Sequence, residues 1–350
     1  MVNLLALMRK VLARDTCGTR DTRGTLNIMH VLVVGTSVVD LFLDIDPDHV
    51  KNENGKVTFT LGDKIPSSIK KTALGGNGAN VSVGLTRLEI PVTFYTYLGS
   101  DFFSREIESG LSREGVGLDL ERHQDTTSPL HIVLDFPQDR VILANYNKNA
   151  HAFSPKQKHF DFMYLTSIPD SWEGAYKSIL DFAKENKIPI AFSPGTRQIE
   201  DKNDLVIDVI KNSKIYFSNL EEAGKIAGQK LTANRQEPKE LLLAIKQMGP
   251  EVVSITDGPR GAYAVDKESN CYFIVAAPTR GHEKTGAGDA YATGFFAAYL
   301  YGNNIPTSMR WGLAVSGSVM EHMGAQYGLL TKRGLDERLK NFNNLEAQRI

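Results

Sequence analysis

The sequence predicts an α/β protein built on a mostly parallel, doubly wound sheet. Three observations carry that expectation. Apolar, strand-length runs alternate with helical patterns from Phe162 to Thr256. The run His30-Val31-Leu32-Val33-Val34-Gly35 is continuously apolar and closed by glycine, as in a strand buried on both faces. Two glycine turns, Gly75-Gly76-Asn77-Gly78-Ala79-Asn80 and Thr285-Gly286-Ala287-Gly288-Asp289, each open into a helical pattern. In sheets of this kind ligands bind beyond the carboxyl ends of the strands, where such turns fall.

A chain of 350 residues has room for one large α/β domain or two ordinary ones. Its formal net charge of −1 offers no electrostatic case for nucleic acid or a membrane surface as partner. Cys17 and Cys271 are the only cysteines and lie far apart, which argues against a disulfide framework and fits a reducing, cytoplasmic setting. No apolar run has the length of a membrane span. The eight histidines are scattered, with no His-x-x-x-His, and Cys-x-x-Cys is absent, so a dedicated zinc site is not expected.

Residues 1–28 do not share the pattern of the rest of the chain. Arginines outnumber acids there, as in a targeting peptide, but Asp15 and Asp21 weaken that reading, and a poorly ordered extension ahead of Met29 is expected. After Gly35, Asp40 precedes a strand from Leu41 to Ile45. The polar stretch from Asp46 to Lys71, with Asn54-Gly55 as a hairpin turn, reads as inserted β structure. The turn at Gly75 then leads into a helix carrying Val81, Val83, Leu85 and Leu88, followed by a strand from Val92 to Leu98. Asn80 either caps that turn locally or points its amide into a ligand crevice.

Phe102 to Glu114 reads as a helix. Leu130–Phe136 and Arg140–Tyr146 read as a hairpin about Pro137-Gln138-Asp139, both arms expected to pair with the strands between Leu41 and Leu61. The βα series comes next, with helices from Trp172, Leu220 and Lys239 and strands at 162–166, 188–192, 214–217 and 251–256. Asn219-Leu220-Glu221-Glu222 has the spacing of a capping box, while the same amide and carboxylate could hold a magnesium–phosphate water shell. Thr256-Asp257-Gly258-Pro259-Arg260-Gly261 is a turn that either opens a hairpin into Ala262–Val265 or runs against a nucleotide.

Thr285 to Asp289 is the stretch with the clearest chemistry. Unpaired N–H groups in a first helical turn, with the positive end of the dipole, attract an anion, and Gly286 and Gly288 let it approach the main chain. Asp289 falls beside that anion, where a carboxylate repels unless it receives a hydroxyl proton as a phosphoryl group arrives. The plainer reading is a turn with Asp289 favoured by the helix dipole. The helix runs to about Tyr301, with Gly302 as its stop. A last helix, Pro306 to Met323, carries small residues from Gly312 to Ser318 that either flank a flat ring or let helices pack closely.

Together these stretches resemble the ribokinase (PfkB) family of carbohydrate kinases, over about residues 29–330. Gly75 to Asn80 is similar to the family's first signature and Thr285 to Asp289 to its second. Asn219 to Glu222 matches its Asn-x-x-Glu, and Thr256 to Gly261 its nucleotide-side turn. The resemblance implies a ribokinase-like, three-layer, doubly wound fold over residues 29–335. A small β-sheet lid from about 41–73 and 128–148 would cover it, and residues 336–350 would be a polar helix or tail.

It also implies ATP-dependent transfer of a γ-phosphoryl group to a sugar hydroxymethyl group. Asp289 would be the base, and Gly286, Ala287 and Gly288 the anion hole. Asp40, Gly76, Asn77 and Asn80 would grip the acceptor, and Asn219, Thr256, Gly258 and Gly261 would line the nucleotide. Glu222 would support Mg²⁺ through water. The family's lid is often its dimer surface, so a homodimer through the lid is the protein partner implied.

Two departures qualify this. Gly281-His282-Glu283-Lys284 stands where the family often has Asp-Thr, which leaves a monovalent-cation site open. Asn77 stands where some members have lysine, so a sugar phosphate gains no support there, although Arg140, Lys148 and Arg197 could bind one. A nucleoside or a sugar phosphate is the alternative acceptor. A catalytically quiet kinase-like binding module is the alternative of another class, and a pure binder has no need of a base beside an anion site. A dehydrogenase is disfavoured by the lone glycine after the first strand, and a P-loop NTPase by the absent Gly-x-x-x-x-Gly-Lys.

Overall fold

Val31–Val34 form β1, whose side chains alternate between two cores: Val31 and Val33 enter one, Leu32 and Val34 the other. A strand apolar on both faces needs helices above and below it. The computed structural model describes residues 29–350 apart from 54–55, 137–139, 146–150, 170, 229–236, 278, 280–284 and 343–344. The expected extension 1–28, the Asn54-Gly55 and Pro137–Asp139 turns, Lys148 and the 281–284 departure lie outside the described residues.

After β1 come β2 (Val38–Ile45), β3 (Lys51–Glu53), β4 (Lys56–Thr58), β5 (Ser67–Gly75), α1 (Asn77–Arg87) and β6 (Val92–Leu98). Helix α2 (Phe102–Arg113) leads to β7 (Gly117–Arg122), β8 (Leu130–Asp135) and β9 (Arg140–Asn145). The βα series comprises β10 (Phe162–Leu165), α3 (Glu173–Glu185), β11 (Ile190–Phe192), α4 (Thr196–Glu200) and α5 (Asp204–Lys211). It continues through β12 (Ile215–Asn219), α6 (Leu220–Ile226), α7 (Pro238–Met248) and β13 (Val252–Thr256). Last are β14 (Ala262–Val265), β15 (Cys271–Ile274), α8 (Ala287–Leu300), α9 (Ile305–Met320), α10 (Lys332–Lys340) and β16 (Gln348–Arg349).

Among the described residues the main sheet has ten strands in the order β16-β15-β14-β13-β12-β11-β10-β1-β6-β7. From β13 to β7 every neighbouring pair is parallel, and β14, β15 and β16 add antiparallel strands at one edge. Helices α1, α2, α8 and α9 pack on one face, and α3, α5, α6 and α7 on the other. The chain runs outward from β1 to β6 on one side, then returns to β10 on the other. That reversal opens a crevice at the carboxyl ends of β1 and β10. Thr36 and Ser167 face each other across it, their hydroxyl oxygens 3.5 Å apart.

The second sheet, in the order β5-β2-β8-β9, is the small sheet expected as a lid. Asp40 and Phe42 of β2, His131 and Val133 of β8, and Arg140 and Ile142 of β9 line the crevice, the period of two that a strand face requires. Only β8 pairs with an earlier strand, β2, in parallel, while β9 pairs with β8. The expectation that both arms reach the earlier strands is thus corrected, and β3–β4 form a separate two-stranded sheet. The expected division after residue 335 falls inside α10, where Leu335 is fully buried, and Gln348–Arg349 extend the main sheet against β15. The small residues of α9 serve packing at Gly312, where a Cβ would lie 2.8 Å from the Tyr291 ring.

Candidate active site

Helix α8 starts at Ala287, directly after Gly286 in the left-handed conformation with φ 75°. Glycine is required there twice over, since a Cβ would also stand 2.5 Å from that of Ala325. The tight turn places Asp289 in the first helical turn, facing the buried Asn80 of α1. Asn80 Nδ2 donates to Asp289 Oδ2 at 2.8 Å. Burial pushes the Asp289 carboxyl up to about 7, the Asn80 N–H opposes that rise, and the charge of Glu222 adds to it. Asp289 is thus a carboxylate poised to exchange a proton near neutrality.

The acceptor side is built by the lid and α1. Asp40 is buried on β2, and the β2–β8 register sets His131 opposite it, with Nδ1 2.9 Å from Asp40 Oδ1. On the other flank Gly75 leaves the space that Asp40 occupies, since a Cβ there would collide with Asp40 Oδ2. Gly76, with φ 94°, passes 2.6 Å from the Thr36 carbonyl at its would-be Cβ. Asp40, Gly76, Asn77, Asn80, Gly286 and Asp289 line one cleft of about 670 Å³.

A smaller cavity of about 160 Å³ adjoins it, lined by Asn77, Asn219, Glu222, Thr256, Gly288 and Asp289 among others. Asn219 Oδ1 accepts from Glu222 N at 2.9 Å, and Glu222 Oε2 from Asn219 N at 3.0 Å, so the capping box forms. The same two residues nevertheless face the cavity. Burial raises the Glu222 carboxyl above its ordinary value, an effect the Asn219 N–H partly offsets.

Three expected residues are absent from both cavity linings. Ala287 lines neither cavity, and its carbonyl accepts from Ser316 Oγ at 2.9 Å. Gly258 and Gly261 also line neither. A Cβ added at Gly258 would meet nothing within 4 Å, and Gly261 has its own packing reason, since a Cβ would collide with the Ile274 carbonyl. Sequence reasoning missed His131, Gly195 and Thr196. The last two line both cavities at the start of α4, and Pro194-Gly195 after the apolar run 188–192 was a signal for them. His131 carried none, because its role depends on strand register.

Two adjoining cavities thus share Asp289 at a helix N-terminus, at the switch point of an α/β sheet. The chain belongs to the pfkB family of carbohydrate kinases, whose model matches residues 37–332. It is therefore an enzyme of the carbohydrate kinase class. It is 24% identical over 291 residues to the ribokinase of Haemophilus influenzae, covering 80% of this chain and 92% of that one. It is 26% identical over 280 residues to a nucleoside kinase of Methanothermobacter thermautotrophicus, covering 75% and 86%. Its fold matches the solved Arabidopsis thaliana ribokinase complexed with ribose and ATP, at a TM-score of 0.74 and 18% identity, over 89% and 99% of the two chains.

Proposed function

We propose that the protein transfers the γ-phosphoryl group of ATP to a hydroxymethyl group of a sugar, with Asp289 as the base. One observation carries this reading: Asp289 lines both the large cleft and the small cavity, so it stands between an acceptor and a phosphoryl donor. The acceptor enters the cleft, where Asp40 and Asn80 offer acceptor and donor atoms to its hydroxyls. The reacting hydroxyl gives its proton to Asp289 as its oxygen attacks the γ-phosphorus, and the bond to ADP breaks. Main-chain N–H groups of Gly286, Gly288 and Asp289, residues that line the two cavities, would face the negative charge that moves across.

The donor set fits Mg²⁺. Glu222 and Asn219 offer oxygen ligands beside Asp289, and no cluster of three metal-ligating side chains exists among the described residues. A hard cation would keep most of its waters there and be held mainly by the phosphates. When bound it neutralises charge on the transferring phosphates.

Replacing Asp289 by Asn should lower turnover by about two to four orders of magnitude while leaving the fold intact. ADP release would be measured across pentoses, hexoses and nucleosides, and near-normal turnover in the variant would remove Asp289 from the mechanism. A wild type inactive on every acceptor would favour a binding module instead.

A second reading, a sugar phosphate as acceptor, has one observation in its favour: Arg140 and Arg197 line the same cleft as Asp40. Glu200 and Asp201 line it too and offset that charge, so a neutral sugar or nucleoside stays ahead. Homodimerisation would use the lid's outer face, where Ile69 and Leu143 are 67% and 52% exposed. No helix among the described residues is long and apolar enough to cross a membrane, and a cytoplasmic site of action is part of this reading.

A further inference from the structure

The Asn80 side chain has two polar atoms, and only Nδ2 faces Asp289. The other, Oδ1, accepts a hydrogen bond from Gln326 Nε2 at 3.2 Å. An amide can turn about its Cβ–Cγ bond and exchange oxygen for nitrogen, so a neighbour must decide which end meets the carboxylate. The candidate is Gln326, the residue bonded to Oδ1, and the main chain that carries it is itself held. Its carbonyl accepts from Arg87 Nη1 at 2.9 Å, and the Leu329 carbonyl accepts from the same nitrogen at 2.8 Å. Arg87 also donates to the two oxygens of Glu114, from Nε at 2.8 Å and from Nη2 at 2.7 Å. Asn80 and Arg87 are seven residues apart on α1, two turns along one face, so a single helix holds the 321–331 segment and the amide that the segment orients. Gln326 lines neither cavity, so it acts on the site through Asn80.

We infer that Gln326 is a positioning residue for phosphoryl transfer: by donating to Asn80 Oδ1 it keeps the Asn80 amide turned with Nδ2 toward Asp289. This rests on Asp289 being the base. With Nδ2 toward it, the ionised carboxylate is the favoured partner. With the amide reversed, Oδ1 would face Asp289 and only the protonated acid could pair with it. An Asp289 that already holds a proton cannot accept another from the hydroxyl.

The test compares Gln326→Met and Gln326→Glu in the full chain, following kcat from pH 5.5 to 9 with Mg-ATP and the best acceptor of the wild type. Methionine keeps the volume and loses the donor. Glutamate keeps the shape but replaces the donor by an acceptor, which draws Nδ2 away from Asp289. Both variants should move the acidic limb of the profile to higher pH, Gln326→Glu further. The loss at pH 6 should be about three- to tenfold, recovering toward wild type at pH 9, with KM for ATP unchanged. A packing role would leave the limb in place in both near-isosteric variants, and that result overturns the inference. Should Gln326→Glu fail to fold, Gln326→Met alone decides. Asp289→Asn is run alongside: near-normal turnover there overturns the base assignment, whereas an inactive Asp289→Asn with unshifted Gln326 variants overturns only the positioning role.

Discussion

Asp289 destabilises the fold it serves. Its folded-state carboxyl is pushed up from 3.8 to about 7, so between those values the folded state binds the proton more tightly than the unfolded chain. Stability contributed by this group is therefore greatest at low pH and declines as pH rises from about 4 to about 7. Asparagine cannot ionise and escapes that decline. Asp289→Asn should raise the melting temperature by more than about 2 °C at pH 8 and change it little at pH 4, measured by calorimetry without ligands. An equal effect at both pH values would mean that Asp289 titrates normally. The sequence singled out Asp289 as a carboxylate among glycines at a helix start, a position that suits a dipole-favoured acid as well as a base beside an anion. Its pairing with Asn80, 209 residues away, was suggested by two glycine turns but could not be measured from them.

At the scale of elements, the capping box at the start of α6 shows why one motif supports two readings. Asn219 and Glu222 cap each other through the main chain and also face the small cavity. Serine caps a helix about as well as asparagine but has no amide to offer a phosphate or its water shell. Asn219→Ser should therefore leave the melting temperature near wild type while raising KM for Mg-ATP several-fold. Asn219→Ala should lose about 1 kcal/mol of stability as well. If Asn219→Ser keeps a normal KM, the motif is only a cap. The buried parallel strands and their helices were legible because strands hidden on both faces read as unbroken apolar runs, as β1 and β10 do. Strand β7, with sequence GLDLER, and the two-residue β16 lie at the edges, where polar alternation or brevity erases that signal. Helix α5 was missed despite a legible start, for Asn203 Oδ1 accepts from Leu205 N at 3.0 Å as its cap.

Across the whole molecule, the lid is joined to the body where the site lies: β5 ends at Gly75, one residue before the N-cap of α1, and β1 leads into β2 past Thr36. The glycine motif marked that junction in the sequence. What the small sheet touches was not legible, because register and loop packing set it. One such contact joins the lid to the segment that carries Gln326. Lys71 Nζ of β5 donates to the Met323 carbonyl at 2.7 Å and stands 5.0 Å from the centre of the Tyr327 ring. Both contacts are near the surface, so their loss should change global stability by less than about 1 kcal/mol. Their position is what gives them leverage, since a lid that fits loosely binds its acceptor weakly and admits water as a competing acceptor. Lys71→Met should raise KM for the acceptor about three- to fivefold, consistent with about 1 kcal/mol of lost closure. KM for ATP should stay unchanged, and the ratio of ATP hydrolysis to sugar phosphorylation should increase. ADP release measured with and without acceptor gives both quantities, and an unchanged KM together with an unchanged ratio would show that Lys71 does not latch the lid.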